Sequence, residues 1–533
     1  MSESDLIHNL ILQSASLQPD APALTYKNAT LSYAEFAREV LDSAKGFLEL
    51  GLQRNDRVGV FLEKRLEAVI AQFGASAAGG AFVPINPLLR AKQAAYILRN
   101  CAVRILVTSS ARLAGLIDVL GGCPGLESII LVDEGHFDGA TLRPQIATWK
   151  AMMTTAVGSK RKRHRMVDSD MAGILFTSGS TGMPKGVVLS HRNLVASARS
   201  ACEHLRNSAE DRILCVLPFS FDYGLVQLTS AFNMCANVVL FDYLFPRDIP
   251  EIIAKEKVTG LAGVPPLWIQ LAEIEWPRAA TQSLRYVTSS GGAMPGATLG
   301  KLRKALGDTE IHLMYGLTEA FRSTCLPPSE LERRPNSIGR PIPNADVMIV
   351  RQDQTLCRPQ EVGELVHRGA FVSRGYWNDS AATAERFRPS PNQPGELSVP
   401  ETAVWTGDMV WYDDDGFFYF VGRRDDQIKT SGYRVSPTEV EEVLYGTDLV
   451  AEAAAFGVPH LELGQAIVVV ATAAHPGPLD KESILEKCRQ EMPTYMTPLL
   501  IIERQSIPRT PNGKMDRKQL ADEFANIFQR SSE

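Results

Sequence analysis

The 533-residue chain is poor in the signals that mark several protein classes. Its eight cysteines, Cys101, Cys123, Cys202, Cys215, Cys235, Cys325, Cys357 and Cys488, include no CxxC pair. That excludes the usual zinc-ribbon and dithiol spacings and fits a reduced interior. Basic residues are not in excess: 55 Lys and Arg against 61 Asp and Glu leave a net charge of −6. A global nucleic-acid footprint is thereby excluded, and any phosphate-binding site must be local. Long apolar runs are also missing. The stretch AIVVVATAA at 466–474 has about half the length needed to cross a bilayer and reads as a buried strand. The first twenty residues lack the basic, apolar and small-residue pattern of a secretory signal, so a cytoplasmic location is expected. Internal repeats and low-complexity segments are absent as well.

What is present is an ordinary globular composition, 45% hydrophobic and 22% charged, with core-forming surface in quantity. At about 150 residues per unit the length suggests roughly three to four units. Short β-rich runs alternate with amphipathic ones through the first third: Val58–Leu62, a helix around 65–80, Phe82–Ile85, a helix near 90–99, and Ile105–Thr108. This order predicts α/β layers. The basic run KRKRHR at 160–165 sits in a polar connection and reads as a solvated loop. The DDDG segment at 413–416 predicts a hairpin between Val410–Tyr412 and Phe417–Val421, with Gly416 supplying the positive φ. Ser436 and Glu439 have capping-box spacing and Pro437 the first helical position, so a helix should run from 437 to about Gly446. The tail offers strands at Ala453–Val458 and Ala466–Thr472 and helices at about 481–490 and 516–528, enough for a small α/β domain.

The strongest local signal is FTSGSTGMPKG at 176–186, directly after an apolar run. Thr177, Ser178, Gly179, Ser180, Thr181 and Gly182 let backbone amides and hydroxyls approach phosphate oxygens, and Lys185 supplies charge. The segment is not a Walker A loop, since GxxxxGK[ST] is absent, and a plain Gly/Ser turn is the alternative.

With this loop the sequence resembles the adenylate-forming superfamily of acyl-CoA synthetases, peptide-synthetase adenylation domains and luciferases. The resemblance extends over nearly the whole chain. It includes YGLTE at 315–319, TGD at 406–408, GRRDDQIK at 422–429 with GYR at 432–434, and PNGK at 511–514. It implies a large, subdivided amino-terminal adenylation domain, 1–424, and a small mobile α/β carboxy-terminal domain, 425–533. The implied reaction joins a carboxylic acid to AMP with release of pyrophosphate, then passes the acyl group to a thiol.

The resemblance also assigns roles. Thr318 would contact the α-phosphate region and Glu319 would help to hold Mg²⁺, a hard cation that favours carboxylates. Tyr315 and Gly316 would lie against the adenine, with Gly291, Gly292 and Ala293 at its edge. Asp408 would accept the ribose hydroxyls, assisted by Arg423. Lys514 would be the catalytic lysine, Arg434 would help with phosphate placement or closure, Asp425 would be the hinge, and Gly432 would lie beside the thiol tunnel. Taken singly, Asp408 reads as a loop cap, Arg434 and Lys514 as exposed cations, and Asp425 as a surface turn.

Asp222 resembles the aspartate by which amino-acid adenylation domains bind the substrate ammonium. Its alternative is an ion pair with a protein cation, notably Arg322. Arg322 has a second alternative, recognition of a further substrate carboxylate. Other pocket candidates by resemblance are Tyr223, Val226, Trp268, Thr288, Ser290, Met314 and Ser323. The segments FSFDYGL and YGLTEAFRSTCLPP resemble stand-alone prolyl carrier-protein ligases and exosortase-associated AMP-forming ligases.

An amino acid and a phosphopantetheine thiol on a separate carrier protein are therefore expected, with ATP and Mg²⁺. The alternative is an acyl-CoA synthetase acting on a non-amino acid with CoA. A luciferase-like oxygenase and a non-catalytic nucleotide-binding protein are the remaining classes.

Overall fold

The computed structural model describes residues 5–133, 143–177, 184–423, 428–430, 433–460, 463–510 and 513–528. It has the α/β layering expected from the alternation of strand and helix patterns. One sheet runs in the order Gln145–Thr148, Ser128–Leu131, Ile105–Thr108, Arg57–Phe61, Ala81–Pro84, Met171–Thr177, Lys185–Ser190, parallel except for the last pair. The helix Leu66–Ala78, apolar almost all round, is buried from Ala68 to Ala78, as such a composition requires. It lies so close to the helix Tyr33–Glu49 that a Cβ on Gly74 would fall 1.9 Å from the Ser43 hydroxyl. Only glycine permits that approach.

A second, larger sheet carries the site. Its parallel centre includes Arg212–Cys215, Gly260–Gly263, Tyr286–Ser289 and Glu310–Leu317. From there it turns antiparallel through Phe321–Leu326 and Ser337–Pro341 to the hairpin Thr402–Tyr412/Phe418–Arg423. That hairpin forms around the DDDG turn as expected, with Gly416 at φ +78°.

The third sheet belongs to the tail: Ile428–Thr430, Tyr433–Val435, Val450–His460, Gly464–Ala473 and Leu500–Glu503. Its helices Pro437–Tyr445 and Lys481–Glu491 bury Val440, Leu444, Ile484 and Cys488 in a core of their own.

Two expectations are corrected. The Ser436 side chain does not cap the helix; its hydroxyl bonds the Thr438 hydroxyl at 2.7 Å, and only Glu439 reaches back to the Ser436 amide. The last helix is shorter than 516–528: it spans Arg517–Glu523, with Asp516 capping Gln519. Beyond it the chain continues in turns, with Phe524, Ile527 and Phe528 packed against the core that buries Leu520. The boundary expected at 424/425 lies outside the described residues. Among the described residues, no helix is long and apolar enough to cross a membrane.

Candidate active site

The hairpin Glu310–Leu317/Phe321–Leu326 presents Thr318, Glu319 and Ala320 at its tip, with Tyr315 and Arg322 just behind. The tip is tight: Phe321 has φ +55°, and a Cβ on Gly316 would sit 2.1 Å from the Phe321 carbonyl. Parallel register places Ser289 beside Leu313, so the exposed Gly291–Gly292–Ala293 turn follows next to Met314 and Tyr315. Gly291, at φ +89°, makes that turn. The site therefore gathers at the carboxyl ends of the parallel strands, where open α/β sheets place ligands.

Asp408 and Arg423 are register partners on adjacent strands. Arg423 Nε lies 3.0 Å from Asp408 Oδ1, a salt-bridge distance without hydrogen-bond alignment. Tyr315 donates its hydroxyl to Oδ2 of the same carboxylate. Oδ1 is buried and accepts no hydrogen bond within the protein, so it keeps acceptor capacity. Burial raises the Asp408 pKa, opposed by Arg423, the Tyr315 hydroxyl and Lys514.

A second group lies on the phosphate-loop side. Thr177 pairs with Lys185 at the base of the 177–185 hairpin, whose tip is outside the described residues. The Lys185 ammonium stands 5.3 Å from the centre of the Tyr376 ring, and the Tyr376 hydroxyl donates to Glu319 Oε1. Among the described residues, no three His, Cys, Asp or Glu side chains gather as a metal cage. Glu319 alone suits a magnesium ion held by one carboxylate plus nucleotide phosphates.

The third group joins the two. Thr318 Oγ1 donates to Asp222 Oδ1 at 3.0 Å, at the start of the helix Asp222–Asn233. Burial raises the Asp222 pKa; the Thr318 hydroxyl and then Lys514 pull it back. Lys514 thus acts electrostatically on both Asp222 and Asp408. It projects from a tight turn in which Thr510 N bonds the Lys514 carbonyl at 2.8 Å and Gly513 takes φ +77°.

Further along the helix lies a small cavity, lined by Tyr223, Val226, Gln227, Ser230, Thr288 and Arg322 among others. The Tyr223 hydroxyl meets the Thr288 hydroxyl at 2.5 Å. The other pocket candidates stand back from this lining. Trp268 is fully buried behind it, donating to the Thr288 carbonyl at 3.2 Å. Ser323, next to Arg322 on a strand, faces the other way and bonds His367 Nδ1 at 2.8 Å. Met314 is buried and Ser290 half-buried, and neither lines the cavity. The Asp222–Arg322 pair does not form: Arg322 Nη1 lies 3.0 Å from His204 Nε2 and its guanidinium 5.7 Å from the Tyr223 ring centre.

The assignments to Ser178, Gly179, Ser180, Thr181, Gly182, Asp425 and Gly432 fall outside the described residues, as does the Arg434 side chain. Arg434 contributes its backbone to the Ile428–Thr430/Tyr433–Val435 pair. Sequence reasoning missed Tyr376, His204 and Gln227. Gln227 was accessible, since 222, 223, 226, 227 and 230 share one helical face. Tyr376 carries no local signal, lying 57 residues from Glu319.

Residues 11–377 match the AMP-binding enzyme family and residues 439–514 its carboxy-terminal domain. The chain belongs to the AMP-binding enzyme family. This agrees with the adenylate-forming resemblance read from its motifs. Gramicidin S synthase 2 of Aneurinibacillus migulanus is 29% identical over 528 residues, 98% of this chain and 11% of that protein. The chain thus spans about a tenth of that relative's length. The long-chain-fatty-acid–CoA ligase of Bacillus subtilis (strain 168) is 28% identical over 542 residues, 97% of this chain and 94% of that one. The crystal structure of the anthranilate CoA ligase AuaEII, in complex with anthranoyl-AMP, superposes with a TM-score of 0.87 at 23% identity, covering 99% of both chains. At that identity the likeness concerns the fold.

Proposed function

We propose that the chain is an ATP-dependent, AMP-forming acid–thiol ligase, with an amino-terminal adenylation domain over 1–424 and a mobile domain over 425–533. The observation that carries this reading is the gathering of Asp408, held by Tyr315 and Arg423, and Asp222, held by Thr318, within the field of one cation, Lys514. The first marks the ribose end of a nucleotide and the second the reacting end of the acid pocket. A cation between them meets the negative charge that develops when two anions are brought together.

In the first step a carboxylate oxygen of the acid attacks the α-phosphorus of ATP. The bond from that phosphorus to the bridging oxygen breaks, and pyrophosphate leaves with the electron pair. Asp408 accepts the ribose hydroxyls, Tyr315 and the 291–293 turn flank the base, and Lys185 neutralises phosphate charge. Glu319, oriented by Tyr376, is the residue to hold Mg²⁺, which would screen the phosphates. In the second step a thiol sulfur bonds to the acyl carbon, AMP departs with the carbon–oxygen electron pair, and the thiol proton passes to solvent. Asp425 would supply the hinge and Gly432 the thiol approach, with Arg434 aiding closure.

The acid is read as an amino acid. Asp222 is a half-buried carboxylate that accepts from the Thr318 hydroxyl and from its own backbone amide and feels the field of Lys514; an α-ammonium would complete its neutralisation. The acceptor is read as the phosphopantetheine thiol of a carrier protein, with CoA presenting the same arm. Names among the relatives fit either side: gramicidin S synthase for one and a fatty-acid–CoA ligase for the other. ATP–pyrophosphate exchange over amino, fatty and aromatic acids tests the first step. Exchange restricted to acids without an amino group overturns the amino-acid reading, and exchange with none overturns the ligase. Mass spectrometry after adding CoA or a pantetheinylated carrier then identifies the acceptor.

A further inference from the structure

The far end of the acid cavity holds a buried charge that the first-step chemistry does not use. Arg322 is 7% exposed and Gln227 5% exposed, and both line the cavity. Among the described residues, Arg322 forms no ion pair with a carboxylate; its polar contact is His204 Nε2 at 3.0 Å. That imidazole cannot neutralise it. His204 Nδ1 lies 2.6 Å from the Ser200 carbonyl, which only accepts, so Nδ1 carries the proton and Nε2 is the acceptor for Arg322. Burial, reinforced by Arg322 itself, lowers the His204 pKa to about 3 and keeps the ring neutral. Gln227 adds a second unmet demand, since neither its amide nitrogen nor its amide oxygen has a hydrogen-bond partner.

A buried guanidinium without a counter-ion and a buried amide without hydrogen-bond partners are costly unless something anionic enters between them. The guanidinium fork matches a carboxylate by two parallel N–H donors, and the Gln227 amide adds another donor. We infer that the acid activated by this protein carries a second carboxylate, bound at Arg322 and Gln227. This rests on the reading that the reacting carboxylate lies at Thr318, Asp222 and Lys514. Five helical residues separate Asp222 from Gln227, an advance of roughly 7.5 Å, which a straight-chain diacid of about five carbons spans. With the ammonium read at Asp222, the substrate class is an acidic amino acid or its des-amino diacid.

Four acids separate the two recognition elements: glutamate, glutarate, norvaline and valerate. Exchange kinetics are measured for wild type, R322M and R322K. The second carboxylate should raise kcat/KM by about 100-fold or more in both the amino and the des-amino pair, the scale for a desolvated charge pair. R322M should reverse that preference, raising the value for the monoacids, while R322K retains part of it. Equal or better use of the monoacids by wild type overturns the inference, as does an equal loss with all four acids in R322M. Calorimetric titration of glutarate supplies a readout without turnover. Glutarate binding that R322M abolishes supports the distal site even if no acid drives exchange, in which case the ligase reading fails alone. Absence of glutarate binding to wild type overturns the distal site whatever the exchange assay gives.

Discussion

Thr318 Oγ1 donates to Asp222 Oδ1 at 3.0 Å, tying the tip of the 310–326 hairpin to the first turn of the helix that lines the acid cavity. The residue assigned to the α-phosphate region and the residue assigned to the acid thus share a hydrogen bond. On the proposed assignments this bond would couple nucleotide and acid positions, so a change at either residue should be felt by both substrates.

Replacing Asp222 tests what that carboxylate recognises. Asp222→Ala should cut kcat/KM for amino acids by about 100-fold, near 3 kcal/mol, as expected for removing one partner of a buried charge pair. Acids without an amino group should lose far less. Exchange kinetics on matched pairs of acids check this, and an equal loss would make Asp222 a structural group.

Lys514→Ala should lower adenylation by about 100- to 1,000-fold, the range found when a transition-state donor is removed. Thiolysis of a supplied acyl-adenylate should fall only a few-fold, because the role proposed for Lys514 is in the first step alone. Separate half-reaction assays distinguish the outcomes, and equal losses would reject the assignment.

Tyr376→Phe removes the hydroxyl that orients Glu319 and keeps the ring beneath Lys185. The apparent KM for Mg²⁺ should rise about tenfold, the cost of one hydrogen bond to a charged acceptor. Titrating Mg²⁺ at fixed ATP measures it. An unchanged magnesium requirement would remove Tyr376 from the phosphate site.

The pH dependence follows from Asp408. Burial lifts its pKa above the ordinary aspartate value of 3.8. Relative to a free aspartate the protonated form is stabilised by the fold: that contribution to stability is fully present below the ordinary value and lost as pH rises through the raised one. Ribose binding needs the ionised acceptor, so KM for ATP should climb as pH falls through the raised value. Asp408→Asn should weaken ATP at neutral pH and flatten that acidic limb; a limb unchanged in the variant would assign it elsewhere.

The fold class and most elements were legible because periodic burial imposes strand and helix patterns. Leu66–Ala78, Ile105–Thr108 and the strands around the DDDG turn formed where their patterns placed them. The last helix stops at Glu523 although Phe524, Ile527 and Phe528 beyond it still pack on the core, so an apolar pattern placed the burial but not the helix end. Within the site, motif-bearing residues were legible and their connections were not. No sequence rule places Tyr376 on Glu319 or His204 on Arg322, because sheet register and helix packing set those contacts. Trp268 and Ser323, assigned to the pocket by resemblance, turn into the core instead. Strand alternation decides this for Ser323 once the neighbouring Arg322 faces the cavity.

The most direct test is chemical identification of the first product. With ATP, Mg²⁺ and the acid panel, quenched reactions resolved by mass spectrometry should contain acyl-AMP and an equal amount of pyrophosphate, both formed about 100- to 1,000-fold more slowly in Lys514→Ala. ADP with phosphate, or no nucleotide cleavage with any acid, would contradict the account.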